Sequence, residues 1–204
     1  VGFRGEDTVC LSQVHGTNLR YVTEKDRGEG FGKSTNLTGY DGLMTDRKNV
    51  TLVTYHADCV PLYFLDPVKK AIALSHAGWR GTVQKMAEVT VREMIRKFHS
   101  KPEDILCAIG PSIGVCCFEV DTPVAEEFKE KLDFGGQFVF PGACKDKYQI
   151  DLWGINQEIL LRSGILPEHI EVTDLCTKCH PELFYSHRNM GNLRGTMAAY
   201  LELK

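Results

Sequence analysis

Three short segments of the sequence carry side chains that bind metals or act as nucleophiles. His15 precedes a glycine in SQVHG, and His76 opens HAGWRGT. Asp58 and Cys59 lie between two apolar runs in YHADCVP. Two imidazoles and one thiolate suit zinc, and three protein ligands leave a fourth position for water or substrate, as in catalytic zinc sites. Cys59 and His76 also suit a metal-free nucleophile and base, so the residues leave both chemistries open.

Charged and aromatic residues near these segments predict how an anionic or planar substrate is bound. Arg80 stands between two glycines, which let the backbone approach a ligand closely. Guanidinium groups bind phosphate through paired hydrogen bonds, so we expect Arg80 and then Arg188 to bind substrate, with Arg194 as a further candidate. Asp58 is expected to orient a metal ligand or to transfer a proton. Trp79 is either a stacking surface or a core residue. The predicted catalytic residues are Cys59, His76, Asp58 and Arg80.

The eight cysteines do not follow the pattern of a disulfide-rich domain. A chain of 204 residues can bury enough apolar surface to fold without disulfides, and the scatter of the cysteines matches no small secreted framework. We therefore predict reduced thiols and a cytoplasmic protein. The adjacent pair Cys116 and Cys117 is expected to be structural. Cys176 and Cys179 form the one CxxC, which fits half of a zinc site, a redox pair or incidental thiols.

Composition and charge exclude several classes of partner. Hydrophobic residues make up 43% of the chain and the formal net charge is −3, which is typical of a globular protein without a basic surface for nucleic acid or anionic membranes. The apolar runs stay well below the roughly 18 residues that a membrane span needs. We expect small-molecule substrates, no nucleic-acid or membrane partner, and a monomer or weak homodimer.

Hydrophobic periodicity predicts the elements that position these residues. Apolar and β-branched runs predict strands at 50–55, 60–65, 71–75, 105–109, 170–172 and 197–203. Helical spacing predicts helices at 83–98, 122–132 and 151–162, with Thr82 and Asp151 as the N-caps of the first and third. Residues 24–42 are rich in glycine and polar side chains and are expected to form a long loop. The expected fold class is mixed α/β (α+β), in a single domain.

The order of five motifs resembles that of a known family. The motifs QVHG, ADCVPLYFLDP, HAGWRGT, GPSIGVCCFEV and FYSHR are similar to those of the laccase-domain family, also called multicopper polyphenol oxidase-like, whose members are described as purine nucleoside phosphorylases. The resemblance extends from Ser12 to Leu203. It implies a four-layer α-β-β-α sandwich with mixed sheets, similar to bacterial cysteine hydrolases. It also implies that His15, Cys59 and His76 bind zinc, with copper as the alternative.

The resemblance further implies an activity on purine nucleosides and phosphate. The implied reactions are phosphorolysis of adenosine, inosine and methylthioadenosine, and deamination of adenosine. In the hypothesis that follows, zinc holds phosphate or the attacking water, and Arg80 binds phosphate. Family members carry an N-terminal GGVS-like segment that the sequence lacks, so residues 1–204 are expected to be one domain without that segment. The alternatives are a Cys-His amidase that edits cell-wall precursors, a copper-dependent polyphenol oxidase, or a non-enzymatic metal-binding module.

Overall fold

The computed structural model describes residues 2–32 and 34–204, so Val1 and Lys33 of the predicted domain and loop lie outside the described residues. The described strands are β1 (Thr8–Cys10), β2 (Leu19–Tyr21), β3 (Gly42–Thr45), β4 (Thr51–His56), β5 (Val60–Asp66), β6 (Ala71–Ala77), β7 (Leu106–Ile109), β8 (Glu119–Asp121), β9 (Val139–Pro141), β10 (Lys147–Ile150), β11 (Ile170–Val172) and β12 (Met197–Leu201). The described α-helices are α1 (Trp79–Val83), α2 (Met86–Phe98), α3 (Thr122–Lys131), α4 (Leu152–Arg162) and α5 (His187–Met190).

The strands form three sheets. The largest has six strands in the order β11-β7-β5-β6-β3-β2, with parallel pairs at its two edges and antiparallel pairs between them. A second sheet has the order β1-β4-β12 and contains one parallel and one antiparallel pair. The third, β8-β10-β9, is antiparallel. Two of the three described sheets are therefore mixed.

The six-stranded sheet carries a hydrophobic core on each face. On one face its strands pack with α2 and α4, where Met94 and Ile155 are buried. On the other face Leu43 and Leu74 pack against Leu52 of the second sheet. All seven residues of β6 are buried, as expected for a strand covered on both faces. The predicted mixed α/β class is confirmed, and these layers follow the α-β-β order of the expected sandwich.

Most of the predicted elements occur, with shifted ends. The runs 60–65, 71–75 and 170–172 lie in β5, β6 and β11, and the helices expected at 122–132 and 151–162 are α3 and α4. Asp151 caps α4 as predicted, because its carboxylate accepts a hydrogen bond from the amide of Gly154 at 3.0 Å. Six short strands were not predicted (β1, β2, β3, β8, β9 and β10). Each has three or four residues, which is too few for a clear alternation of apolar and polar positions.

The prediction for the first helix was wrong in two respects. The helix expected at 83–98 is two helices, α1 and α2, separated at Lys85, whose φ of 58° is left-handed. Thr82 lies inside α1 and donates its amide to Gly78, so it is not an N-cap. The apolar spacing runs through the break because Val83 and Met86 are buried in the same core. Periodicity therefore could not reveal where the first helix ends.

Residues 24–42 are mostly irregular, as predicted, and lead directly into the functional region. A short 3-10 turn, Glu24–Asp26, begins the segment and is capped by Thr23. The segment ends at Asp41, immediately before β3, and Asp41 is fully buried. The loop therefore places a carboxylate directly before β3 of the six-stranded sheet.

Leu43 is a test of the core beneath that carboxylate. It has no exposed surface and packs between the six-stranded sheet and the β1-β4-β12 sheet, so Leu43→Ala should lower the free energy of unfolding by about 2–5 kcal/mol. Urea unfolding followed by circular dichroism measures the change. Leu193→Ala is the matched control, since Leu193 is 91% exposed and its loss should leave stability nearly unchanged. Equal stability of the two variants would contradict the described packing.

Candidate metal and active site

The three predicted ligands come from separate parts of the chain and meet at one point. His15 follows β1, Cys59 lies between β4 and β5, and His76 is near the end of β6. Their donor atoms all lie within 4.8 Å of one another, and the Cys59 sulfur is 3.9 Å from Nε2 of His15. The structure therefore brings together the residues that their chemistry selected in the sequence.

One buried carboxylate positions both histidines. Asp41 accepts hydrogen bonds from the amides of Val14, His15 and Gly16 at 3.2, 2.9 and 2.7 Å, and from Nδ1 of His76 at 2.9 Å. The amides can converge because His15 takes a left-handed φ of 61°. Burial opposes ionisation of Asp41, but the bonds from His76 and Gly16 outweigh it and hold its pKa below the ordinary value. Asp41 thus stays charged and fixes the geometry around it.

Sequence reasoning missed Asp41. It is separated from His15 by 26 residues and from His76 by 35 residues, and no local motif joins them. No sequence signal marked Asp41, because the buried strand that follows it, Gly42–Thr45, is too short to be predicted from apolar alternation.

The hydrogen bond to Asp41 has a consequence for the other side of the His76 ring. Because Nδ1 is occupied, Nε2 of His76 is the nitrogen left to face Cys59. Burial lowers the pKa of His76, but Asp41 and Cys59 reverse the effect and raise it to about 9. Burial raises the pKa of the Cys59 thiol, but the bonds from His15 and His76 lower it to about 6. The thiolate that a metal or an electrophile requires is therefore favoured.

His56 was also missed, and it supports the site without joining the ligands. Its Nδ1 lies 3.1 Å from the carbonyl oxygen of Cys59, and its Nε2 lies 2.8 Å from the hydroxyl of Thr54. Burial, and then the charge of His76, lower the pKa of His56 to about 3, so its ring is neutral. With both nitrogens engaged, His56 fixes the backbone that carries the thiol.

The donor set and its surroundings fit a metal ion. Zinc bonds of about 2.0–2.3 Å in a tetrahedron place donor atoms roughly 3.3–3.8 Å apart, so small side-chain rotations would close the observed spacing. A ligating histidine held at its second nitrogen by a carboxylate is the common arrangement, and His76 with Asp41 has it. A Cβ at Gly78 would lie 3.0 Å from both the Cys59 sulfur and Cδ2 of His15, so the glycine keeps this space open.

His15, Cys59 and His76 line a cavity of about 600 Å³. That volume lies within the usual range for sites that bind small molecules. Its apolar lining includes Leu11, Trp79, Ile113, Phe118 and Leu152. Its polar lining includes Gln13, Arg80, His187, Arg188 and Arg194. The cavity therefore combines a surface for a planar apolar group with several cations.

The predicted substrate-binding arginines both line the cavity, but their surroundings differ. The guanidinium carbon of Arg80 lies 4.3 Å from the centre of the Trp79 ring, and no described carboxylate pairs with it. Nη1 of Arg188 donates to the carbonyl oxygens of Glu119 at 2.6 Å and Cys117 at 3.3 Å. Arg80 is therefore the freer cation, while part of Arg188 serves to hold the backbone of the cavity wall.

Asp58 lies beside the cavity with both oxygens engaged. One oxygen accepts from the hydroxyl of Thr177 at 2.7 Å, and the other accepts from the amide of Arg188 at 2.6 Å. Neither partner is a predicted metal ligand, and Asp41 is the carboxylate that contacts the ligands. The predicted role of Asp58 in orientation or proton transfer stays a prediction, and its observed contacts are to the cavity wall.

The sequence matches a protein family along its whole length. All of residues 1–204 match the family model described as multi-copper polyphenol oxidoreductase laccase. The chain belongs to this family. It is 40% identical over 197 residues to a Bacillus subtilis protein named purine nucleoside phosphorylase YlmD, covering 96% of this chain and 70% of that protein. It is 33% identical over 187 residues to a protein named adenosine deaminase RL5 from an unknown prokaryotic organism, covering 91% and 71%.

Structural comparison agrees with the family assignment. The crystal structure of Bacillus licheniformis hypothetical protein YfiH superposes with a TM-score of 0.95 at 38% identity, covering all of this chain and 76% of that one. The resemblance inferred from the five motifs is thereby confirmed at the level of the family. Among the described residues, no helix combines the length and apolar character needed to cross a bilayer.

Asp41 provides a test of how the ligands are held. Asp41→Asn removes the negative charge to which the His76 ring and three backbone amides donate hydrogen bonds. The substitution should weaken zinc binding about 10- to 100-fold. Competition against a chelator of known affinity measures this, with Cys59→Ala as the baseline that lacks the site. Asp58→Asn is the matched control, because its carboxylate contacts Thr177 and Arg188 rather than the ligands. If Asp58→Asn weakens zinc binding more than Asp41→Asn does, Asp58 rather than Asp41 holds the metal ligands in place.

Proposed function

We propose that the protein is a zinc-dependent purine nucleoside phosphorylase acting on adenosine, inosine and methylthioadenosine, with adenosine deaminase activity. The observation that carries the proposal is the meeting of His15, Cys59 and His76 in the lining of a cavity of about 600 Å³ that Arg80 also lines. The names of the related phosphorylase and deaminase support it. We further propose a cytoplasmic enzyme, folded as one domain over residues 1–204, that acts as a monomer or weak homodimer.

The three donors are the residues that would hold the ion. When bound by these residues, zinc would supply a Lewis acid in the cavity. Copper is the less favoured ion, because a multicopper site needs more imidazoles than the two in this set. His56 does not extend the set, since both of its ring nitrogens are engaged by other groups.

The rest of the cavity supplies binding and orientation for phosphorolysis. The rings of Trp79 and Phe118 offer apolar surface to a purine. The guanidinium of Arg80, and then that of Arg188, offers donors to phosphate oxygens. Phosphate held beneath the ribose C1′ would form the new C–O bond as the C1′–N9 bond breaks. Positioning of phosphate against C1′ favours this step. The purine takes the electron pair of the broken C1′–N9 bond and leaves neutral once it receives a proton from phosphate or solvent.

Deamination would use the same cavity with water in place of phosphate. Water adds at purine C6 and the exocyclic nitrogen leaves as ammonia. The nucleoside must therefore place its purine C6, rather than its ribose C1′, beside the three metal-type ligands. The arginines have no anion to bind in that reaction. The two activities should therefore respond differently to phosphate and to changes at Arg80.

One observation favours a second candidate function. Asp41, His76 and Cys59 form a chain of contacts in which the carboxylate holds the imidazole and the imidazole faces the thiol. This order of groups is that of a cysteine hydrolase, so a Cys-His amidase that edits cell-wall precursors is the alternative. Alkylation of Cys59 in metal-free protein, with amidase activity that survives a chelator, would support it over the phosphorylase.

The deciding experiment separates products formed from adenosine with and without phosphate by chromatography. We expect adenine and ribose 1-phosphate only when phosphate is present, and inosine in both samples. Cys59→Ala should lose zinc at this site and both products. Adenine or inosine formed at wild-type rates by Cys59→Ala would contradict the proposal, and so would the absence of both products from zinc-loaded wild-type protein.

Arg80→Ala tests the assignment of the phosphate site. Loss of a charge-assisted hydrogen bond costs about 1.5–3 kcal/mol, which corresponds to a rise in the KM for phosphate of roughly 10- to 100-fold. Deamination of adenosine should change much less, because it uses no phosphate. Arg20→Ala, at an exposed position on β2, is the matched control and should leave both activities intact. An unchanged KM for phosphate in Arg80→Ala would assign the anion to another arginine.

A further inference from the structure

A second group of metal-type ligands lies outside the cavity. Cys116, Cys117, Cys176 and Cys179 bring four sulfur atoms within 4.8 Å of one another. The Cys179 sulfur lies 3.6 Å from that of Cys116 and 3.5 Å from that of Cys117. Sulfurs bound to one tetrahedral zinc ion at about 2.3 Å are roughly 3.8 Å apart. The adjacent pair and the single CxxC, which looked unrelated in the sequence, thus form one cluster of four.

The backbone around Cys176 is arranged to stabilise a thiolate. Its sulfur accepts a hydrogen bond from the amide of Gly114 at 3.3 Å, and the amides of Lys178 and Cys179 also point to it. Amide bonds to sulfur from within a CxxC turn orient the thiolate for a metal. These donors come from both segments of the cluster, so the segments are already docked in the geometry that a shared ion needs.

We propose that Cys116, Cys117, Cys176 and Cys179 bind a structural zinc ion. Four thiolates complete a tetrahedron and leave no position for water or substrate, in contrast to the three-ligand set of the cavity. Zinc is favoured over harder divalent ions because all four donors are sulfur. Binding releases the thiol protons to solvent, and the ion neutralises part of the charge that four adjacent thiolates would carry.

The position of the cluster gives the ion a role in shaping the cavity. Thr177, inside the CxxC turn, donates its hydroxyl to Asp58 and its amide to the carbonyl oxygen of Ser112. Ile113 donates its amide to the carbonyl oxygen of Asp58, and both Ile113 and Phe118 line the cavity. An ion that ties residues 116–117 to residues 176–179 therefore fixes one cavity wall.

A disulfide is the competing explanation for the close sulfurs. Cys179 is almost equally near Cys116 and Cys117, and the structure records all of these cysteines as free. A disulfide would use only two of the four sulfurs. A disulfide between Cys179 and either Cys116 or Cys117 would not include the sulfur of Cys176, which accepts the amide hydrogen bonds. The symmetric arrangement fits one central ion better than one bond.

The test is the zinc content of purified, zinc-replete protein, measured by inductively coupled plasma mass spectrometry. We expect two ions per chain in the wild type and one in Cys179→Ser. Cys59→Ala should also hold one ion, and Cys59→Ala/Cys179→Ser should hold none. Cys144→Ser is the matched control, since Cys144 is exposed and outside both clusters, and it should retain two.

Several outcomes would overturn the proposal. One zinc per wild-type chain, lost in Cys59→Ala, would show that the four cysteines bind none. Peptide mapping of the unreduced wild type that links Cys179 to Cys116 or Cys117 would replace the ion with a disulfide, and iron in place of the second zinc would change the metal.

If Cys179→Ser does not fold, cobalt-loaded wild-type protein decides instead. A sulfur-to-cobalt charge-transfer band with the intensity of five thiolates supports two sites, and the intensity of one excludes the second. Because these readouts need no turnover, they stand or fall separately from the phosphorylase assay.

Discussion

The Asp41 carboxylate is the contact on which the candidate site depends. It joins the loop that carries His15 to the strand that carries His76, through three backbone amides and one imidazole nitrogen. A buried carboxylate without such partners would be strongly destabilising, so the contacts that keep it charged also hold the two histidines in register. The main chain adds a further link, since the His76 amide donates to the Asp41 carbonyl oxygen at 2.7 Å. The ligand geometry is thus built into the pairing of β3 with β6.

The thiol ligand is positioned by different means. His56 bonds to the carbonyl oxygen of Cys59, and Gly78 leaves room for the sulfur where any side chain would intrude. Asp58, next to Cys59 in the sequence, accepts hydrogen bonds from Thr177 and from the Arg188 amide at the start of α5. The two cysteine-containing clusters are therefore mechanically connected. Thr177 lies within the segment of the four-cysteine cluster, and Asp58 precedes Cys59, so the hydrogen bond between Thr177 and Asp58 joins the two clusters.

The family description names copper oxidation, while related proteins are named for reactions of purine nucleosides. The donor chemistry separates these readings. One thiol and two imidazoles line the cavity beside the Arg80 guanidinium, which suits a Lewis acid that works with an anionic co-substrate. A redox site for several copper ions requires more imidazole ligands than the two that this donor set contains.

Side-chain chemistry and the family resemblance selected His15, Cys59 and His76 as candidate metal ligands, and the structure brings their donor atoms within 4.8 Å of one another. Apolar spacing was enough to predict the mixed α/β class, the long strands, α3 and α4. These features are local: a strand of seven buried residues or a helix with a capping aspartate leaves its pattern in consecutive letters. The sequence did not reveal the break at Lys85, because both helices bury the same face. The sequence also did not reveal the roles of Asp41 and His56. Nor did it show that Cys116 and Cys117 lie next to Cys176 and Cys179. Their partners lie tens of residues away, and only the packing of the sheets decides which distant groups share a buried space.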